Sequence, residues 1–142
     1  MTIDVEVHTT IERARPQVAR YCCDPDNITA WCANIQAVHW ETPPPLDVGT
    51  RIRLTSGFLG RTVEHTSEVA ELVAGELLVM RSLLTETTYR WTDSDEGGTW
   101  MTVRNRGEPT AYPGLAAPII ATAIRRATAN DLDRLKSILE AR

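Results

Sequence analysis

The chain has 142 residues, of which 42% are hydrophobic and 24% charged, and its formal net charge is −4. That length holds one sizeable core and suits a single domain over 1–142, while the composition excludes a disordered chain. The negative charge and the scatter of the basic residues argue against a nucleic-acid partner, which would be met by clustered positive charge.

The segment Ile3 to Thr9 alternates Ile3, Val5 and Val7 with Asp4, Glu6 and His8, the period of a half-buried strand. Acidic residues stand where a secretory leader would be basic. No run approaches the ~20 apolar residues of a membrane span. Pro16 suits the first turn of a short helix reaching about Cys23. Asp24 followed by Pro25 reads as an N-cap and first helical residue, so a second short helix carries Ile28 and Trp31. The three cysteines, Cys22, Cys23 and Cys32, are odd in number and lack Cys-x-x-Cys spacing. They read as buried thiols in a reducing cytoplasm.

Turn residues then recur evenly: Pro43 to Pro45, Gly49, Gly57 with Gly60, Gly75, and Gly97 with Gly98. Between them lie strand-length segments at 35–41, 50–56, 61–72, 77–84, 87–93 and 99–106. Links this short make an antiparallel meander, because parallel crossovers need a dozen or more residues. Residues 115–140 read as a long helix, with Ile119, Thr122, Ala129, Leu132, Leu135 and Leu139 as the apolar stripe and Asp131, Asp133, Arg134 and Lys136 off it. The only large apolar surface available to that stripe is the inner face of the sheet. The fold class is therefore α+β: a seven-stranded antiparallel sheet wrapped around a C-terminal helix, with two short helices after the first strand.

In order along the chain stand Ile11-x-x-x-x-Pro16-x-Val18, Cys23-Asp24-Pro25-Asp26-Asn27-x-x-x-Trp31 and Val48-Gly49-Thr50-Arg51. They are followed by Gly60-Arg61-x-x-Glu64-x-x-x-Glu68-Val69, Thr88-Tyr89-Arg90-Trp91, Gly97-Gly98-Thr99 and Asp131-Leu132-x-x-Leu135-Lys136. Taken together, these segments resemble the START-like (SRPBCC) helix-grip superfamily, in its polyketide cyclase/dehydrase branch. The resemblance implies a cavity between sheet and helix, and relatives that include aromatic polyketide cyclases, lipid carriers, plant hormone receptors and many bacterial proteins. The aromatic cyclases place a tyrosine and an arginine in the cavity; after Trp31 this chain reads Cys32-Ala33-Asn34-Ile35.

Taking the more apolar register of each strand as inward, the expected cavity walls are Trp31, Val38, Leu54, His65, Met80, Tyr89, Trp91, Met101, Ile119 and Thr122. A solvent-facing Thr122 would count against both a carrier and an enzyme that works in a cavity there, and would favour a partner-binding protein in their place. His65 shares a face with Val63 and Val69 and is the one candidate for acid–base chemistry, although an idle, hydrogen-bonded histidine is the commoner outcome. Arg61, Arg125 and Arg126 are the candidates for an anchoring charge, against the usual solvated fate of arginine. Gly57 to Gly60 is a lid over the entrance or a simple hairpin link that exposes Phe58. His8 and His39 lie on separate strands, so no metal site is expected, and no phosphate loop, dinucleotide fingerprint or nucleophile elbow calls for a cofactor.

Three readings follow: carriage or sequestration of a small hydrophobic metabolite or lipid; a polyketide cyclase/dehydrase-type enzyme acting on an aromatic or polyketide substrate; and a partner-binding protein with a collapsed cavity. The segment 77–84 is apolar on both faces. A second subunit over Leu77, Val79 and Leu83 would explain that and make a homodimer; coverage by a loop is the alternative.

Overall fold

The computed structural model describes residues 3–142 apart from 59 and 113, and at 58 the backbone only. The expectations for the tip of the loop 57–60, including exposure of Phe58, lie outside the described residues. β1 (Ile3–Ile11) keeps its alternation: Ile3, Val5 and Ile11 are buried while Asp4 and Glu6 are exposed. α1 (Arg15–Cys22) carries proline in its first turn, where a missing N–H costs nothing. The Asp24 carboxylate then accepts the Asp26 backbone N–H at 3.0 Å, opening a 3-10 turn (Pro25–Asn27) that runs into α2 (Ile28–Trp31).

Six strands follow: β2 (Ile35–Trp40), β3 (Arg51–Phe58), β4 (Arg61–Val73), β5 (Leu77–Arg81), β6 (Thr85–Asp93) and β7 (Thr99–Gly107). All pairs are antiparallel, and the spatial order is β1-β7-β6-β5-β4-β3-β2. Short hairpins fix the order of β3 to β7, and the longer link 41–50 joins β2 to β3. The two helices α1 and α2 supply the long connection that carries the chain from one edge to the other. Register shifts in the β2–β3 and β4–β5 pairs, between Ile35 and Ala37 and between Val69 and Glu71, bend the strands as bulges do. A final 3-10 turn (Pro109–Ala111) leads into α3 (Ala117–Glu140).

The core has two centres. The larger joins Val18, Tyr21, Trp31, Trp91 and Met101 to Leu132, Leu135 and Leu139 of the C-terminal half of α3. The smaller joins Ile3 and Val5 of β1 to Ile120, with Leu115, Tyr112 and Ile124 packed against it. Thus α3 touches apolar partners at both ends, and the space between the two centres is where a site can form.

Two expectations are corrected here. The run 77–84 is not one strand: β5 ends at Arg81, because Ser82 to Leu84 turn the chain into β6. Val79 is already buried within the single chain, and Leu83 stands at the hairpin tip rather than on the outer face of the strand. The motive for a homodimer across that face is therefore reduced to the half-buried Leu77. In the first half of α3, the stripe does not run through Ile119 and Thr122. Both are exposed, and Thr122 Oγ1 donates to the Pro118 carbonyl at 2.9 Å. At ~100° per residue the buried stripe runs back from Leu132 through Thr128 and Ile124 to Ile120, and Ile119 and Thr122 lie roughly 150° from its middle.

Candidate functional site

Between the inner face of the sheet and the first half of α3 lies a cavity of about 790 Å³ that opens to solvent. Its existence follows from side-chain size. The stripe of α3 presents Ala127 and Thr128 at the level where the strands present Ser56, Thr85, Thr87 and Gly107, and these short groups leave the gap unfilled. One step further along α3, Leu132 and Leu135 meet Trp31, Trp91 and Met101, and that level is solid. Tyr89 closes the boundary, stacked on Trp91 with ring centroids 6.3 Å apart and set edge-on to Trp31 at the same distance.

This arrangement redistributes the expected wall residues. Cross-strand pairing puts Val38, Leu54, His65, Met80, Tyr89, Trp91 and Met101 on one face of the sheet. Of these only His65 lines the cavity. Trp31, Trp91 and Met101 are buried in the core, with Met80 and Tyr89 packed against it. Val38 and Leu54 are half-buried beside the cavity rather than on its wall. Ile119 and Thr122 belong to a shallow groove on the far side of α3, with Pro118, Ala123 and Arg126. The exposed Thr122 removes the cavity from the helix face that the apolar stripe predicts; the void survives because the adjacent face of the helix walls it. Of the candidate arginines, Arg61 lines the cavity and Arg125 and Arg126 are exposed outside it.

What the strand patterns conceal is how polar the wall is. Thr87 Oγ1 donates to Asn105 Oδ1 and Asn105 Nδ2 donates to Thr128 Oγ1, each at 3.0 Å. This chain of contacts runs from β6 through β7 to α3 and fixes the Asn105 amide. Its remaining capacity, the Thr128 hydroxyl hydrogen as donor and the Thr87 lone pairs as acceptors, suits a ligand hydroxyl. The inward sets of β6 and β7 are legible as alternation, but choosing their largest apolar members passes over Thr87 and Asn105. Ser82 and Thr85, whose hydroxyls share a short hydrogen bond, add polar surface near the opening.

The titratable residues that line the same space include His65 and Asp131, beside Arg61, Glu86, Arg106 and Tyr112. His65 sits on β4 opposite Leu54, and burial lowers its pKa below the usual 6.5, so it is neutral at pH 7. Asp131, at the inner end, has its pKa raised by burial, against the opposing effect of the Ala33 N–H at 3.1 Å and Arg134 at 3.2 Å. Arg134 also donates to the Trp31 carbonyl at 2.8 Å. Asp131 and Arg134, both outward by the sequence pattern, therefore clamp the end of α2 to α3 and hold Asn34 and Ile35 at the cavity wall. By contrast the cysteines offer no nucleophile: burial pushes the Cys22 and Cys32 thiols well up and Cys23 to about 11. His8 is also outside the site, stacked on Trp100 with centroids 4.4 Å apart. Among the described residues no helix is long and apolar enough to cross a membrane, and no group of three or more His, Cys, Asp or Glu is placed to hold a metal ion.

A family model described as polyketide cyclase / dehydrase and lipid transport matches residues 2–140. No curated protein matches the sequence. Among solved structures, the Zhui aromatase/cyclase from Streptomyces sp. R1128 superposes with a TM-score of 0.80 at 16% identity, covering 99% of this chain and 94% of that one. The protein TTHA0849 from Thermus thermophilus gives 0.78 at 15% identity, over 94% of both chains. The di-domain ARO/CYC StfQ of the steffimycin biosynthetic pathway gives 0.74 at 15% identity, covering 96% of this chain and 50% of that one. At these identities the likeness is one of fold.

Proposed function

The chain belongs to the polyketide cyclase / dehydrase and lipid transport family, and from that premise we propose that it binds a small amphipathic molecule in the cavity, for carriage or sequestration. The supporting observation is the cavity itself, about 790 Å³ and open to solvent, within the usual range for small-ligand sites. Its wall mixes Ile3, Val63, Leu115 and Ile124 with Thr87, Asn105, Thr128, His65 and Asp131. Such a lining suits an apolar body bearing a few oxygen functions better than a plain acyl chain, since buried polar wall groups left unpaired would weaken binding. Aromatic polyketides and hydroxylated polycyclic compounds have this character.

The reading is tested by titrating a planar hydroxyanthraquinone and following tryptophan fluorescence, with Trp31 and Trp91 beneath the cavity as reporters. Ala127→Trp fills the void and abolishes the quenching, while Thr122→Trp, on the exposed side of α3, leaves it intact; circular dichroism checks that both fold. Equal binding by wild type and Ala127→Trp would remove the cavity from the function.

The enzyme reading, a cyclase or dehydrase acting on an aromatic or polyketide substrate, is supported by one observation. His65, neutral at pH 7, lines the same cavity as the Asp131 carboxyl, so a proton acceptor and a second acid–base group face one ligand. His65→Ala separates the two readings: a carrier keeps its affinity within a few-fold, while an enzyme loses turnover at unchanged binding.

A further inference from the structure

We propose that Asp131 sets the class of ligand the cavity accepts: one oxygen of its carboxylate takes a hydrogen bond from a neutral alcohol or phenol, and the same oxygen turns carboxylic acids away. The proposal rests on the cavity reading above and adds the chemistry of the ligand's polar end. It starts from an asymmetry within one side chain. The Ala33 N–H at 3.1 Å and the Arg134 guanidinium at 3.2 Å both donate to Oδ1 of Asp131, while Oδ2 accepts no hydrogen bond among the described residues. Yet this side chain is largely buried and lines the cavity. A carboxylate oxygen withdrawn from water without a donor is costly, and a ligand in the cavity is placed to supply one.

The direction of that hydrogen bond follows from its neighbours. The two donors on Oδ1 favour the ionised form, so Oδ2 offers lone pairs and no hydrogen. Thr128 stands three residues earlier on α3, and side chains so spaced are neighbours on one helix face. Its Oγ1 accepts from Asn105 at 3.0 Å, which leaves its own hydrogen to donate. A hydroxyl can accept from Thr128 and donate to Asp131. An ether or ketone satisfies only the first contact, and a carboxylate satisfies the first and is repelled at the second.

The other charged residues of the wall do not reverse this sense. Glu86 and Arg106 pair across β6 and β7, one residue out of step with the inward Thr87 and Asn105. Arg81 holds Glu86 at 2.8 Å, and Asp4 lies 3.9 Å from Arg106. His65 is neutral at pH 7 and brings no charge to the ligand. Arg61 also lines the cavity, and a carboxylate drawn to it would bind as tightly as an alcohol, which is a result that overturns the proposal.

The test uses three probes that share one ring system and differ in one group: 2-(hydroxymethyl)anthraquinone, 2-methylanthraquinone and anthraquinone-2-carboxylate. Each is titrated at pH 7 against the full chain, with tryptophan quenching as the signal. Wild type should bind the alcohol roughly tenfold more tightly than the methyl compound, and the carboxylate more weakly still. Asp131→Asn keeps an oxygen for the Ala33 N–H and turns an amide donor to the cavity. It should lose most of the preference for the alcohol and bind the carboxylate about tenfold more tightly than wild type does. Circular dichroism checks that the variant folds, and the wild-type order is read without it. Quenching by none of the three, or quenching that survives Ala127→Trp, removes the cavity reading and this proposal together. Quenching that Ala127→Trp abolishes leaves the cavity reading standing; this proposal alone is then overturned by an alcohol no tighter than the methyl compound, a carboxylate as tight as the alcohol, or an unchanged order in Asp131→Asn.

Discussion

His65 and Asp131 face one cavity and are shifted in opposite senses, so pH separates them. Burial lowers the His65 pKa below 6.5, which means the unfolded chain takes up a proton before the folded one does. His65 therefore contributes stability above pH 6.5 that is lost as the pH falls through its folded value. Burial raises the Asp131 pKa above 3.8, and the sign reverses: its contribution is full below pH 3.8 and is lost as the pH rises through the folded value. Thermal melts between pH 7 and pH 3 should show a decline beginning near 6.5 that is flattened in His65→Gln. Asp131→Asn should instead gain stability relative to wild type at neutral pH, since its amide oxygen can still accept the Ala33 N–H. A His65→Gln curve parallel to wild type across that range would mean that the imidazole is as well hydrated in the fold as in the unfolded chain.

At the level of elements, α3 shows what a sequence pattern can specify and what it cannot. Leu132, Leu135 and Leu139 are buried and stand among charged neighbours, so polarity alone locates that half of the stripe. Leu→Ala at 132 or 135 should cost about 2–5 kcal/mol in denaturant titration. In the first half, Ile119 and Ile120 are adjacent and alanines surround them; several helical phases then carry similar apolar content, and the phase through Ile119 and Thr122 is the wrong one. The strands are more legible, because a period of two leaves only two registers and each slip moves a whole set of side chains. Arg134 has the sequence pattern of exposed surface, but its guanidinium bridges the Trp31 carbonyl and the Asp131 carboxylate. Arg134→Ala should therefore cost about 1 kcal/mol, against a change within about 0.5 kcal/mol for the exposed Thr122→Ala. Equal losses in the two variants would show that the clamp on α2 contributes little.

For the whole molecule the question is why one end of the sheet–helix contact is solid and the other hollow. The sequence displays the aromatic residues, and their pattern suggests cavity lining; their bulk does the opposite, filling the level of Trp31, Tyr89 and Trp91 and leaving the void where Ala127, Thr128, Thr85 and Thr87 face one another. Size, not hydrophobicity, is the signal that locates the site, and it emerges only once strands and helix are set in register. A void of this kind forgoes packing contacts, which a ligand can restore. Ligand binding to the folded state alone raises stability by mass action, by about 2.7 kcal/mol at a hundredfold excess over Kd. The planar ligand should therefore raise the melting temperature of wild type progressively with concentration. Ala127→Phe, which places a ring in the void, should melt higher than wild type without ligand and lose the ligand-dependent rise; an unchanged ligand response in that variant would put the binding site elsewhere on the molecule.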